Sequence, residues 1–131
     1  MELKRVGVVR SPLTEREAAP KQGYEGAPEA WLEFDAAVAD AVDGIGAGDE
    51  LLVLTWLDRA DRSVLRVHPR DDLDRPQQGV FTTRSSDRPN PIGLHRVRVL
   101  EAAGLRLRVA DLEALDGTPV LDVKPPLKRE R

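Results

Sequence analysis

Two segments constrain this chain more than any others. Residues 95–100 and 105–109, joined around Gly104, alternate apolar and charged side chains with a period of two. Only an extended strand sends every second side chain to the same face, so Val97, Val99, Leu105, Leu107 and Val109 must look into a core. Arg96, Arg98, Arg106 and Arg108 then gather on the opposite face. Like charges on one sheet face repel, so acidic partners or an anionic ligand must stand near them.

The rest of the chain extends this β reading. Residues 3–10 form a first strand with the β-branched Val6, Val8 and Val9, and residues 30–34 a short second one. Residues 50–57 are the strongest strand, and residues 63–68 are expected to be its hairpin partner. Asp116-Gly117 turns the chain into a last strand over residues 120–123. A single helix is predicted over residues 36–42, capped by Asp35 and closed by Gly44. Residues 69–79, rich in Asp, Arg, Pro and Gln, are expected to be a long exposed loop. Six or more short strands with one helix predict a mainly β fold, a compact β-barrel. The βαβ alternation of a Rossmann-type domain is missing. One domain is expected to occupy residues 1–131, with no additional C-terminal domain.

Composition removes several function classes. Only 4% of the residues are aromatic, so aliphatic side chains must fill the core. A small aliphatic domain of this kind often gains stability by pairing with a copy of itself. The absence of cysteine excludes disulfides, thiolate nucleophiles and Cys-ligated zinc. With His68 and His95 as the only histidines, no metal site is expected. No apolar run reaches membrane-spanning length, and the cytoplasm is the expected location. The net charge of −3 argues against a generally nucleic-acid-binding surface. Yet residues 1–83 carry 10 basic and 16 acidic side chains, and residues 84–131 carry 10 and 7. The second half, ending in the basic stretch 124–131, therefore offers either an anion-binding face or an ordinary solvated one.

The densest chemistry lies in residues 84–94. Pro89 and Pro91 fix their own dihedrals and push Arg88 and Asn90 toward extended conformations. The stiff loop that results presents Arg84, Arg88 and Asn90 in set directions, which suits binding because little entropy is left to lose. It equally suits a rigid connection whose arginines pair with nearby acids. The side-chain oxygen of Asn90, with a neighbouring carbonyl, could accept both hydrogens of an amine and aim its lone pair at an electrophilic methyl. Asn before Pro is also a common turn former. Residues 115–125 are the second dense stretch, where Asp122 and Lys124 share a strand face as an ion pair or as a proton acceptor and electrostatic anchor. Asn90, Asp116 and Lys124 are thus the catalytic candidates, and Arg88 and Asn90 the substrate-binding ones. There is no Gly-rich phosphate loop and no dinucleotide fingerprint. Ser85 and Ser86 have no plausible Ser-His-Asp setting, and His68 reads as a surface residue.

Residues 79–94, Gly-Val-Phe-Thr-Thr-Arg-Ser-Ser-Asp-Arg-Pro-Asn-Pro-Ile-Gly-Leu, together with residues 115–125, resemble the paired signature of the TsaA-like family, whose best-known members are the TrmO tRNA methyltransferases. Residues 6–12 resemble that family's opening strand, so the resemblance covers nearly the whole chain. It implies a β-barrel enzyme that uses S-adenosylmethionine as methyl donor, works as a homodimer with donor sites near the interface, and methylates N6 of threonylcarbamoyladenosine beside the anticodon of tRNA. Carried over by position, the donor contacts fall on Gln22 and Gly23 in the early loop and on Arg84 and Leu94 at the two ends of the rigid one. Asp111, Leu112, Glu113 and Ala114 wrap the donor before the Asp116-Gly117 turn. Asp58 and Arg59 align with a contact where many members carry His.

The chain departs from the family elsewhere, with Asp49-Glu50 in place of Ser-His and Lys124-Pro125-Pro126 in place of Lys-Pro-Tyr. It also ends soon after, where longer bacterial enzymes continue into a C-terminal domain. A small metabolite or peptide as acceptor, and a non-catalytic donor-binding module, are the alternatives to tRNA methylation.

Overall fold

The computed structural model describes residues 1–127. Residues 128–131, the end of the basic stretch noted above, lie outside the described residues. In chain order the strands are β1 (Gly7–Arg10), β2 (Ala30–Phe34), β3 (Glu50–Trp56), β4 (Arg66–Val67), β5 (Gln78–Gly79), β6 (Ile92–Ala103), β7 (Arg106–Ala110) and β8 (Pro119–Lys124). Six of them close an antiparallel barrel in the order β1-β2-β7-β6-β3-β8, while β4 and β5 form a separate two-stranded ribbon.

Closure lets a short chain bury an aliphatic interior and removes the exposed sheet edges at the same time. Val9, Leu32, Val53, Val97, Val99, Leu107, Val109 and Val120 point inward and are almost completely buried. The period-two reading of β6 and β7 is therefore borne out. Two register shifts adjust the barrel. One lies between Val99 and Glu101 against β7, the other between Leu54 and Thr55 against β8.

Three of the four outward arginines have the acidic partners that the alternation demanded. Arg96 donates to Glu50 at 2.6 Å, and Arg108 to Glu29 at 2.6 Å and Glu101 at 3.3 Å. Arg106 pairs with Glu33 at 3.3 Å and lies over the Trp31 ring at 4.3 Å. Such exposed pairs contribute at most about 1 kcal/mol each, so they neutralise the face more than they hold the fold.

Three expectations change, the first because residues 69–79 are not all exposed loop: Gln78–Gly79 forms β5, and Pro69 is buried. Residues 63–68 do not pair with β3; only Arg66–Val67 is extended, and it pairs with Gln78–Gly79. The neighbours of β3 are β6 and β8, because barrel closure needs both of its edges. The predicted helix over 36–42 divides into a 3-10 turn, Ala36–Val38, and one α turn, α1 (Ala39–Val42). Asp35 makes no side-chain cap there; its carboxylate accepts from Arg5 instead.

The connections divide unequally between the barrel ends. The 35–49 segment and the tight β6–β7 turn lie at one end. Connections 11–29, 57–91 and 111–118 all meet at the other, which carries the candidate site. No helix among the described residues is long and apolar enough to cross a membrane.

Candidate functional site

Inward side chains change character along β3 and β6 as the strands approach the long-loop end. On β3 the series is Leu51, Val53, Thr55; on β6, read toward the same end, it is Val99, Val97, His95, Gly93. The apolar lining therefore ends in a hydroxyl and an imidazole. Thr55 is fully buried, and its Oγ1 lies 2.6 Å from His95 Nε2. His95 Nδ1 lies 2.6 Å from Glu113 Oε1, brought in by the β7–β8 connection. A carboxylate accepts only, so Nδ1 carries the proton toward Glu113, while Nε2 shares a hydrogen with the threonine hydroxyl. Thr55 Oγ1, both His95 ring nitrogens and Glu113 Oε1 are thereby satisfied, as low-dielectric burial requires.

Above it lies a cleft of about 950 Å³. That is near the upper end of the usual small-molecule range. His95 and Glu113 form its floor, and the three long connections form its walls. Ion pairs tie the walls together. Arg70 donates to Glu25 at 2.7 Å, and Lys21 contacts Asp71. These contacts hold the Arg70 guanidinium above its ordinary value, through the Glu25 hydrogen bond first, and hold the Asp71 carboxyl below its own, through the Lys21 hydrogen bond first. Arg16 reaches the Arg59 carbonyl, Ser86 and Asp87, and Arg59 reaches the Thr14 carbonyl.

Backbone conformation is unusual here as well. Arg70, Asp71 and Asp111 are the non-glycine residues at positive φ among those described, and all three belong to these connections. Backbones of this kind persist only where surrounding contacts over-determine them. Gly23 lies so close to Asp111 that a β-carbon would stand 1.7 Å from the Asp111 carbonyl oxygen. Only glycine permits that approach between the early loop and the 111–114 segment.

The residues singled out in the sequence separate on this geometry. Gln22, Asp58, Arg59, Arg84, Leu94, Glu113 and Ala114 line the cleft. Gly23 and Asp111 shape it from behind, and Leu112 lies wholly in the core. Arg84 is exposed and has no hydrogen-bond or ion-pair partner among the described residues, which leaves its guanidinium available. Arg88 lines the cleft, but its guanidinium donates to the carbonyls of Val80, Thr83 and Ser85 at 2.9–3.0 Å, so it holds the loop's shape.

Asn90, Asp116 and Lys124 are not brought together and do not line the cleft. The Asn90 side-chain oxygen accepts from Arg62 at 3.1 Å, and the Asp116 carboxylate accepts from the Ser11 backbone at 3.0 Å. Lys124 faces outward opposite Leu52, toward the other end of the barrel. Asp122 does not pair with it; its carboxylate accepts from the Val123 backbone.

His95 and Thr55 are the residues that sequence reasoning passed over. A signal was present, because His95 falls on the inward phase set by Val97 and Val99, where a polar side chain needs a partner. His68 also lines the cleft, with its Nδ1 2.8 Å from the Arg75 carbonyl.

A family model described as the tRNA-methyltransferase O N-terminal domain matches residues 8–129. A probable S-adenosyl-L-methionine-binding protein of Methanothermobacter thermautotrophicus is 47% identical over 94% of this chain and 88% of its own length. The tRNA (adenine(37)-N6)-methyltransferase of Escherichia coli is 36% identical over 95% of this chain, which spans 57% of that enzyme. A crystal structure of TrmO superposes with a TM-score of 0.79 at 30% identity, covering 98% of this chain and 58% of that one.

Proposed function

Because this chain belongs to the tRNA-methyltransferase O N-terminal domain family, we propose that it is an S-adenosylmethionine-dependent methyltransferase acting on N6 of threonylcarbamoyladenosine beside the anticodon of tRNA, as a cytoplasmic homodimer. The observation that carries this reading is the polar cleft at one barrel end, which collects seven of the ten donor contacts expected from family resemblance. Its lining fits a nucleoside-sized donor, with the Glu113 carboxylate and Gln22 amide as polar anchors beside the apolar Leu94 and Ala114.

Charge supports a polyanionic acceptor. The chain is net −3, but the cleft is lined by seven Lys or Arg side chains against four Asp or Glu. A locally positive surface on an acidic protein attracts phosphates where the chemistry occurs and little elsewhere. Tyr24 lines the cleft and is 77% exposed, which leaves its ring free to stack on a splayed base. Exposed Ile92 and Leu94 at the cleft edge suit contact with a second copy.

A bound sulfonium donor supplies an already activated methyl group. The protein's task is then to align and desolvate the acceptor nitrogen rather than to activate it strongly. Arg84 provides an available cation at the cleft, and the rigid loop holds its backbone in place. Nucleoside mass spectrometry of tRNA incubated with the chain and S-adenosylmethionine should reveal one added methyl on threonylcarbamoyladenosine, with transfer falling steeply as salt rises. Arg84→Ala should lower kcat/KM about tenfold, the loss of one charge-assisted contact. Failure to methylate any tRNA, modified or not, would refute the proposal.

A further inference from the structure

The buried row Thr55–His95–Glu113 has a geometry that core packing alone does not call for. Val53, Val97 and Val120 are the apolar inward neighbours, and three polar groups in line there must be matched atom by atom. The His95 side chain is 3% exposed and that of Glu113 15%, so the row runs from the core to the cleft surface. Glycines clear the space beside it. A β-carbon on Gly93 would stand 2.4 Å from Thr55 Oγ1 and 2.6 Å from His95 Nε2. One on Gly23 would stand 3.0 Å from Glu113 Oε2. The first carboxylate oxygen is thus engaged by the imidazole, while the second lies against the Gly23 backbone at the edge of the cleft.

We propose that His95, held by Thr55, is a positioning residue that fixes the Glu113 carboxylate so that its second oxygen accepts a hydrogen bond from a hydroxyl or amine group of the methyl donor. The inference rests on the cleft being the donor site. An unrestrained Glu side chain would spread its carboxylate over several rotamers, and ordering it would weaken binding. A charge-assisted bond from a buried imidazole removes that freedom before the donor arrives. His95 acts through Glu113 and need not touch the donor itself.

The test is calorimetric titration of the full chain with S-adenosylmethionine. Glu113→Gln and His95→Phe should each weaken binding about tenfold, the scale of one charge-assisted hydrogen bond. The double variant should be no weaker than either single one, because both remove the same oriented oxygen. Thr55→Val should weaken binding about threefold, and Thr55→Ser should restore it because it keeps the hydroxyl. Should His95→Phe fail to fold, the threonine pair and a Glu113→Gln, Thr55→Val double variant carry the same comparison. Additive losses in the double variant, or equal affinity for Thr55→Val and Thr55→Ser, would overturn the positioning role while leaving the donor site in place. A wild-type chain that binds no S-adenosylmethionine would instead overturn the donor-site reading, and the inference with it.

Discussion

The two ends of the barrel are built from the same strands and differ in almost everything else. At the short-loop end, Phe34, Val42 and Leu51 pack with Val6 and Val123 around a hollow of about 710 Å³ whose charged lining is entirely acidic. At the long-loop end the same inward rows finish in Thr55, His95 and Gly93, beneath a larger, net basic cleft. The first end buries hydrocarbon and closes the core. The second holds polar atoms in fixed directions and carries the three non-glycine residues at positive φ among those described. The cleft proposed for recognition thus sits at one end of a core that spans the barrel, with Leu112 and Ala114 buried beneath it, an arrangement that lets long loops vary without loosening the core.

Substitutions at the two ends should therefore separate folding from binding. Phe34→Ala, at the apolar end, should cost about 3 kcal/mol of unfolding free energy through lost burial and a residual cavity. Its affinity for S-adenosylmethionine should stay within about twofold of wild type; denaturant unfolding and calorimetry would measure the two. A large loss of affinity would mean that the ends are coupled. Gly23→Ala should do the reverse, because its β-carbon would meet the Asp111 backbone, which cannot swing aside like a flexible side chain. Forcing the early loop off the 111–114 segment should weaken donor binding about 100-fold, or ~2.7 kcal/mol, with a smaller change in thermal midpoint. Unaltered affinity would show that the contact between these segments does not shape the donor site.

The smallest effect concerns the Lys21–Asp71 contact across the cleft walls. Lys21 holds the Asp71 carboxyl below its ordinary value in the folded chain. A lowered folded-state value contributes stability above the unfolded-state value, and that contribution is lost as pH falls through the lowered one. Asp71→Asn should therefore cost less than about 1 kcal/mol at neutral pH, since the pair is exposed. The difference from wild type should vanish in strong acid. Thermal melts of both proteins at several pH values would check this, and a gap that widened on acidification would contradict it.

Much of the barrel was legible because strand phase is local information. The inward set Val97, Val99, Leu107 and Val109 follows from alternation, and the four outward arginines with it. The family was legible too, since residues 79–94 and 115–125 carry chemically unusual runs. Less legible was the pairing of short segments. Residues 63–68 look like a hairpin partner for β3, but their partner is Gln78–Gly79, because both edges of β3 are taken by strands distant in sequence. The catalytic candidates chosen from local chemistry lie outside the cleft, whereas seven of the ten expected donor contacts line it. Asn90 and Asp116 have the right functional groups, and the fold occupies them with Arg62 and the Ser11 backbone.

What the sequence by itself determined is what short-range sterics and periodicity can carry: the strand faces, the stiffness of the Pro89–Pro91 loop and the aliphatic character of the core. What only the tertiary structure decided is which polar groups meet. His95 finds Thr55 forty residues away and Glu113 eighteen residues away. Nothing local to any of the three encodes that row. Barrel closure sets the register of β3 against β6, and the β7–β8 connection then lowers Glu113 onto the open end. A hydrogen bond between distant residues exists only once the chain between them has been folded into place.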